Sequence, residues 1–338
     1  MTTKILMIHG RNQASDEQTA SDPDKLAVYV DSKKRQFLAG LAKGLVLANC
    51  PPVSASNVIF PFYGNIFKDA ITNYEDGGGT PPQLEAATPD AAVEASLGGE
   101  PEDIRALSRL QAGLLQDLTS HLGFDVAREA VYQGSAAEEL GPSSVLGIPF
   151  ITRALQFLSR KTGIPGAIIR RHLADVAYYI GLPDMRNTVL NVVRNEIEAY
   201  AGPDDGLVVV SHSLGSIVAY DLLADPNNSL GQRNVKLLVT AGSPLGLGLV
   251  KANVLGKVDG EPAAVPSTLP DTRGSWINAY DALDIVALVH PLAPEFTEHA
   301  DGQIVDERTF NPSNPHAIID YLADPDIAAP ISRKLTAG

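Results

Sequence analysis

Within Leu207–Tyr220, LVVVSHSLGSIVAY, a run of strand-type residues passes into Ser211-His212-Ser213-Leu214-Gly215 and then directly into helical spacing. A strand can feed straight into a helix only through a sharp bend, and small residues must flank that bend because the two elements approach closely. The strand part is Val- and Leu-rich without alternation, the pattern of a strand covered on both faces in a parallel sheet. Three similar runs occur at Lys4–His9, Asn57–Tyr63 and Val235–Ala241, with weaker ones at Ser275–Tyr280 and Gln303–Phe310. Helical spacing over Lys33–Asn49 and Leu214–Asp225 separates several of them. Strand alternating with helix predicts an α/β class chain, with a mostly parallel central sheet flanked by helices.

The strands are unevenly spread. About 140 of the 338 residues lie between the second run and the third, far more than a crossover needs. This predicts a core from 1–63 and 188–338, with a helical cap inserted at 64–187. Within the insertion, Glu75–Asp103 is rich in Gly, Pro and acidic residues and reads as a flexible loop. Ile104–Leu122, Ser144–Lys161 and Asn187–Tyr200 have helical spacing.

A net charge of −14 repels phosphate backbones and makes nucleic acid a poor partner. Cys50 is the only cysteine, so no intrachain disulfide can form. The opening MTTKILMIHG lacks the longer apolar stretch and cleavage site of a signal peptide, and no run of about 18 apolar residues occurs. A cytoplasmic location is the expectation. There is no HExxH, no cysteine cluster and no close histidine pair, so neither a metal nor another cofactor is expected.

A serine at the centre of a strand–turn–helix bend has its hydroxyl pushed out over the sheet, which is how a nucleophile is presented. Ser213 holds that position; Ser211 still lies within the strand and replaces the usual first glycine of G-x-S-x-G. The bland alternative is that Ser213 merely caps the helix. In sequence order the chain carries His9-Gly10, Ser211–Gly215, TAGSPL at Thr240–Leu245, WINAYDALDIV at Trp276–Val286 and NPHAIIDY at Asn314–Tyr321. With these motifs the chain resembles the lipase and esterase branch of the α/β-hydrolase superfamily. The resemblance covers most of the chain outside the cap and implies a serine hydrolase, without naming a substrate.

A hydrolytic serine needs a base, and the base needs an orienting acid, in the chain order Ser, Asp or Glu, His. His316 lies in a Pro-Ser-Asn-Pro-His loop after the last strand candidate, and the family motif also points to it. His290, which precedes a proline, reads as structural, and His299, in an acidic loop, as solvated. Asp281 and Asp284 both follow the fifth strand; the family's Asp-x-Val pattern favours Asp284, leaving Asp281 to an Asx turn. Asp306 falls one strand too late. The oxyanion of an acyl-transfer intermediate needs two backbone N–H donors. Leu214 supplies one by its position after the serine, and the His-Gly loop implies Arg11 as the other. His9 reads as a residue that ties this loop down.

Two features address the substrate. Gly141–Ala174 carries Arg153, Arg160, Lys161, Arg170 and Arg171 and no acidic residue. Its helix is amphipathic: Ile151, Ala154, Leu155, Phe157 and Leu158 share one arc, with Arg153, Gln156 and Arg160 opposite. The arc either packs on the core beneath a solvated basic face, or offers a surface for peripheral lipid contact. The insertion leaves the sheet after Tyr63 and returns just before the strand that carries Ser213. Loops at the C-terminal ends of parallel strands crowd over one edge, so Ser144–Lys161 is expected to lie over the active-site entrance and to help select an acyl substrate. Asp175–Tyr179 and Arg186 also resemble recurring family positions, with no catalytic role implied.

The leading expectation is therefore a carboxylic-ester hydrolase acting on a small-molecule ester or acyl substrate. A thioesterase or amidase would use the same residues, and a silent binding protein on the same scaffold is the reading from another class. A nucleotide-binding protein is disfavoured, since neither G-x-G-x-x-G nor GxxxxGK[ST] occurs at a strand–helix junction.

Overall fold

A computed structural model describes residues 2–10, 14–66, 102–123, 148–162, 166–225, 233–254, 263–312 and 314–336. Six strands form one sheet: β1 (Thr3–Ile8), β2 (Val58–Ile59), β3 (Gly206–His212), β4 (Val235–Ala241), β5 (Trp276–Tyr280) and β6 (Ile304–Arg308). Their order is β2-β1-β3-β4-β5-β6, and every neighbouring pair is parallel. The chain is of the α/β class.

The expected strands are recovered with shifted ends. The second shrinks from Asn57–Tyr63 to two residues, pairing Ile5 with Val58 and Leu6 with Ile59. Pro61 has no N–H to give a ladder, and the Tyr63 amide instead donates to the His9 imidazole, 3.3 Å away. The first long helix starts ten residues before its expected position. α1 is Glu17–Ala20 and α2 is Pro23–Leu47; Asp22 caps α2 by accepting from the Asp24 and Lys25 amides, with Pro23 in the first turn.

The chain divides into two compact units. One comprises Met1–Lys68, Asp184–Gly246 and Val250–Gly338 and contains the sheet; the other comprises Asp69–Pro183 and Leu247–Leu249. In the second lie α3 (Glu102–His121), α4 (Ile148–Thr162) and α5 (Gly166–Gly181), each packed on the other two. Ala154, Leu155 and Leu158 of α4 are buried, while Gln156, Arg160 and Lys161 are exposed. The side chains of Ile151, Arg153, Arg170 and Arg171, the segment 144–147 and residues 75–101 of the expected loop lie outside the described residues.

In the first unit, α6 (Pro183–Tyr200) leads into β3, and α7 (Gly215–Ala224) follows it. α8 (Gly248–Asn253) comes after β4, and α9 (Ile318–Ala323) and α10 (Pro325–Thr336) close the chain. Ile5, Met7, Val208, Val210, Val239 and Ala279 of the sheet share a core with Phe37, Leu41 and Leu45 of α2 and with Tyr321, Leu322 and Ile331. The alternate residues Leu6, Ile8 and Val209 are equally buried, as a doubly covered parallel sheet requires. Among the described residues no helix is long and apolar enough to cross a membrane.

Arg186 of α6 places its Nε 3.4 Å from Asp221 Oδ2 on α7, and its Nη2 donates to the Asn253 carbonyl at 2.6 Å. Asp221 is fully buried. Removing one partner of a buried ion pair leaves the other's charge in a low-dielectric site at a cost of about 3–5 kcal/mol. Arg186→Met should cost about that much in denaturant unfolding. Arg186→Met with Asp221→Leu should recover most of it. An equally unstable double variant would assign the loss to packing and not to charge.

Candidate active site

The bend after β3 is built from main-chain constraints. Ser213 has φ of +56°, in the left-handed region that a non-glycine residue enters at a cost. Its N–H donates to the Ala241 carbonyl of β4 at 2.9 Å, and Leu214 caps α7 immediately afterwards. Two glycines make room. A Cβ on Gly215 would stand 2.5 Å from the Ile8 carbonyl, and one on Gly10 would stand 2.6 Å from the Ser213 Cβ. Ser211 is fully buried, and its hydroxyl donates to the Val239 carbonyl at 3.0 Å. That bond ties the Ser211 hydroxyl to β4.

Ser213, His316 and Asp284 come together although up to 103 residues separate them. His316 Nε2 lies 2.9 Å from Ser213 Oγ, and His316 Nδ1 lies 2.8 Å from Asp284 Oδ2. A carboxylate only accepts, so Nδ1 carries the proton and Nε2 is left to accept from the serine hydroxyl. Asp284 is fully buried, which pushes its pKa up; the adjacent His316, with donors from His316, Tyr321 and the Val286 N–H, outweighs this and holds it below its ordinary value.

The neighbouring candidates are placed elsewhere. Asp281 accepts from the Leu283 amide (2.8 Å), closing an Asx turn, and from the Asn311 amide (2.7 Å). Asp306 accepts from the Asn278 side chain and from the Leu292 and Ala293 amides, fixing the loop after β5. His290 stacks on Tyr280 with ring centroids 4.3 Å apart, and its Nδ1 donates to the Ala287 carbonyl. His299 is exposed, though its Nε2 donates to the Val265 carbonyl.

Leu214 lies at the α7 N-terminus, where N–H groups have no helical acceptor. Arg11 and Asn12 lie outside the described residues, whereas His9 and Gly10 do not. His9 is fully buried and stacked on Tyr63 at 4.0 Å, with Nδ1 donating to the Gly10 carbonyl at 2.6 Å and Nε2 accepting from the Tyr63 amide. The Tyr63 hydroxyl donates back to the His9 carbonyl. Burial holds the His9 pKa down to about 4, so the imidazole is neutral and joins β1 to the chain after β2.

Compared with protein-family models, with curated proteins and with solved structures, this chain has no match.

Three participants escaped sequence reasoning as individuals. Gly242, with φ of +57°, ends β4; a Cβ there would stand 2.7 Å from Asp284 Oδ2 and 3.0 Å from His316 Nδ1. Its signal was a glycine just past a buried strand. His212 Nε2 donates to the His316 carbonyl at 2.9 Å, so adjacent residues of the bend hold both the main chain and the ring of His316. Tyr321 donates to Asp284 Oδ2 at 2.7 Å. Nothing local marks either role.

Two outcomes follow. Gly242→Ala adds backbone strain and displaces the imidazole, so the downfield His316 Nδ1–H proton resonance should disappear from a protein that remains folded. A retained resonance would mean the loop absorbs the methyl group. For His9, the unfolded chain binds a proton below pH 6.5 and the folded chain only near pH 4, so stability is full above 6.5 and is lost as pH falls. At 1.4 kcal/mol per unit the loss between these values is about 3 kcal/mol. Denaturant unfolding from pH 7 to 4 should show it in the native chain and not in His9→Gln; parallel curves would contradict the assignment.

Proposed function

We propose that this chain is a serine hydrolase of the α/β-hydrolase fold that cleaves a carboxylic ester through an acyl-enzyme. The observation that carries the reading is the continuous hydrogen-bonded line Ser213–His316–Asp284, beginning at a serine with a left-handed backbone. Topology supports it. The chain runs from β1 outward to β2 and then returns to β3 on β1's other side, so strand order reverses between β1 and β3. Open parallel sheets bind ligands at such a reversal, beyond the strands' C-terminal ends. Gly10 and Ser213 meet there.

In this mechanism Ser213 Oγ attacks the ester carbonyl carbon while its proton passes to His316 Nε2. Asp284, held as a carboxylate, stabilises the imidazolium without taking its proton. The negative oxygen of the tetrahedral intermediate is received by the Leu214 N–H and, on the family's pattern, by that of Arg11. Collapse breaks the carbon–oxygen bond to the leaving group, which takes the proton from Nε2 and departs as an alcohol. A water then attacks the acyl group with His316 again accepting and returning the proton, releasing the acid and restoring Ser213.

A fluorophosphonate probe should label the folded protein, and Ser213→Ala should abolish both labelling and turnover of p-nitrophenyl esters. A series of p-nitrophenyl and thioester acyl substrates of rising chain length reads out acyl preference and leaving group. Asp284→Asn should cost orders of magnitude in rate by leaving the imidazole in the wrong tautomer, and Asp281→Asn much less. Labelling that survives Ser213→Ala, or an unreactive native protein, overturns the reading.

A further inference from the structure

We propose that Tyr321 is a positioning residue of this site: its hydroxyl is the second donor on the Asp284 oxygen that holds His316. Tyr321 lies on α9, five residues beyond His316, and is fully buried. Its O–H reaches Asp284 Oδ2 at 2.7 Å, the atom that also accepts His316 Nδ1–H at 2.8 Å. The direction of the bond is fixed from behind. The Asp281 amide donates to the Tyr321 oxygen at 3.0 Å, so the phenolic proton is left to the carboxylate.

The ring is anchored as firmly as the hydroxyl. Tyr321 belongs to the apolar core with Phe37, Leu41, Ala328 and Ile331, so α2 and α10 meet it with hydrocarbon. The groups that carry charge or protons around the hydroxyl are Asp284, Asp281, His316 and, with ring centroids 6.3 Å apart, His212. A phenol buried between two carboxylates has its pKa pushed far up and stays protonated as a donor. The Val286 N–H holds Asp284 Oδ1 at 2.9 Å, so without Tyr321 the other oxygen, Oδ2, would be held by His316 alone and would be more basic towards the imidazole. The Tyr321 hydroxyl withdraws electron density from Oδ2 and limits how far the carboxylate stabilises imidazolium before the reaction needs it.

This inference rests on the hydrolase reading for its catalytic consequence, but its physical core is the coupling of Tyr321 to His316. That coupling is measurable without a substrate. Imidazole NMR titration of His316 should show its pKa raised by about half a unit to one unit in Tyr321→Phe, because Asp284 then compensates the imidazolium more fully. With 3-fluorotyrosine at position 321, a stronger donor of nearly the same shape, it should move the opposite way, which keeps the test decisive if the Phe variant folds poorly. Where esters are turned over, the acid limb of the kcat/KM profile should move with the NMR value in both proteins. In Tyr321→Phe kcat should fall about tenfold with KM nearly unchanged. A purely structural tyrosine would alter Tm and leave both pH readouts in place, which would overturn the proposal. NMR shifts without any ester turnover would uphold the coupling and reject the hydrolase reading.

Discussion

Ser213 sits in a backbone region that costs a non-glycine residue about 1–3 kcal/mol, and such a residue persists only where its surroundings over-determine it. Here they do. β3 and β4 are locked in register up to His212 and Ala241, and the next amide is claimed by the β4 carbonyl. α7 starts at once, and only hydrogen fits at position 215, against the Ile8 carbonyl of β1, and at position 10, against Ser213 itself. The chain cannot relax at 213 without unpairing a buried strand or lifting a helix whose residues are almost all buried. Strain at one residue is thereby held by hydrogen bonds and packing spread over three strands and a helix.

The loops after β5 and β6 face a different problem. They carry Asp284 and His316 but have no ladder to satisfy their main-chain groups, and buried amides must be paired. Three aspartates meet that demand. Asp281 binds the Leu283 and Asn311 amides, Asp284 the Val286 amide, and Asp306 the Leu292 and Ala293 amides. The Asn311 side chain then donates to the Pro315 carbonyl, and Asn314 accepts the His316 amide. Asp281 thus shapes the loops that bring Asp284 and His316 together while touching neither side chain of that pair in these bonds. A carboxylate that holds a loop and one that orients an imidazole are the same residue type, and their positions three residues apart separate them poorly.

Legibility in the sequence followed how local the physics is. β1, β3 and β4 are continuous apolar runs because both faces of the sheet are covered, so their pattern needs no partner to be recognised. The apolar run at β2 outlasts its ladder because Phe60, Phe62 and Tyr63 are buried or partly buried for another reason: they gather round His9, with Pro61 breaking the ladder. The apolar periodicity of α2 begins only well inside the helix because Val28, near its start, faces solvent. Arg186 has its physical account in the ion pair with Asp221.

By itself the sequence determined the α/β class, the bend at Ser213 and the short list of residues able to serve it. Those depend on strand burial, small flanking residues and chain order, all properties of neighbouring positions. Tertiary structure alone decided that Ser211 is tied to Val239, that Asp284 and not Asp281 faces His316, and that Gly242, His212 and Tyr321 bound the site. The reason is physical. Hydrogen bonds between residues about 30 and 100 positions apart depend on strand order and on tenths of an ångström at loop ends, and neither leaves a periodicity in the chain.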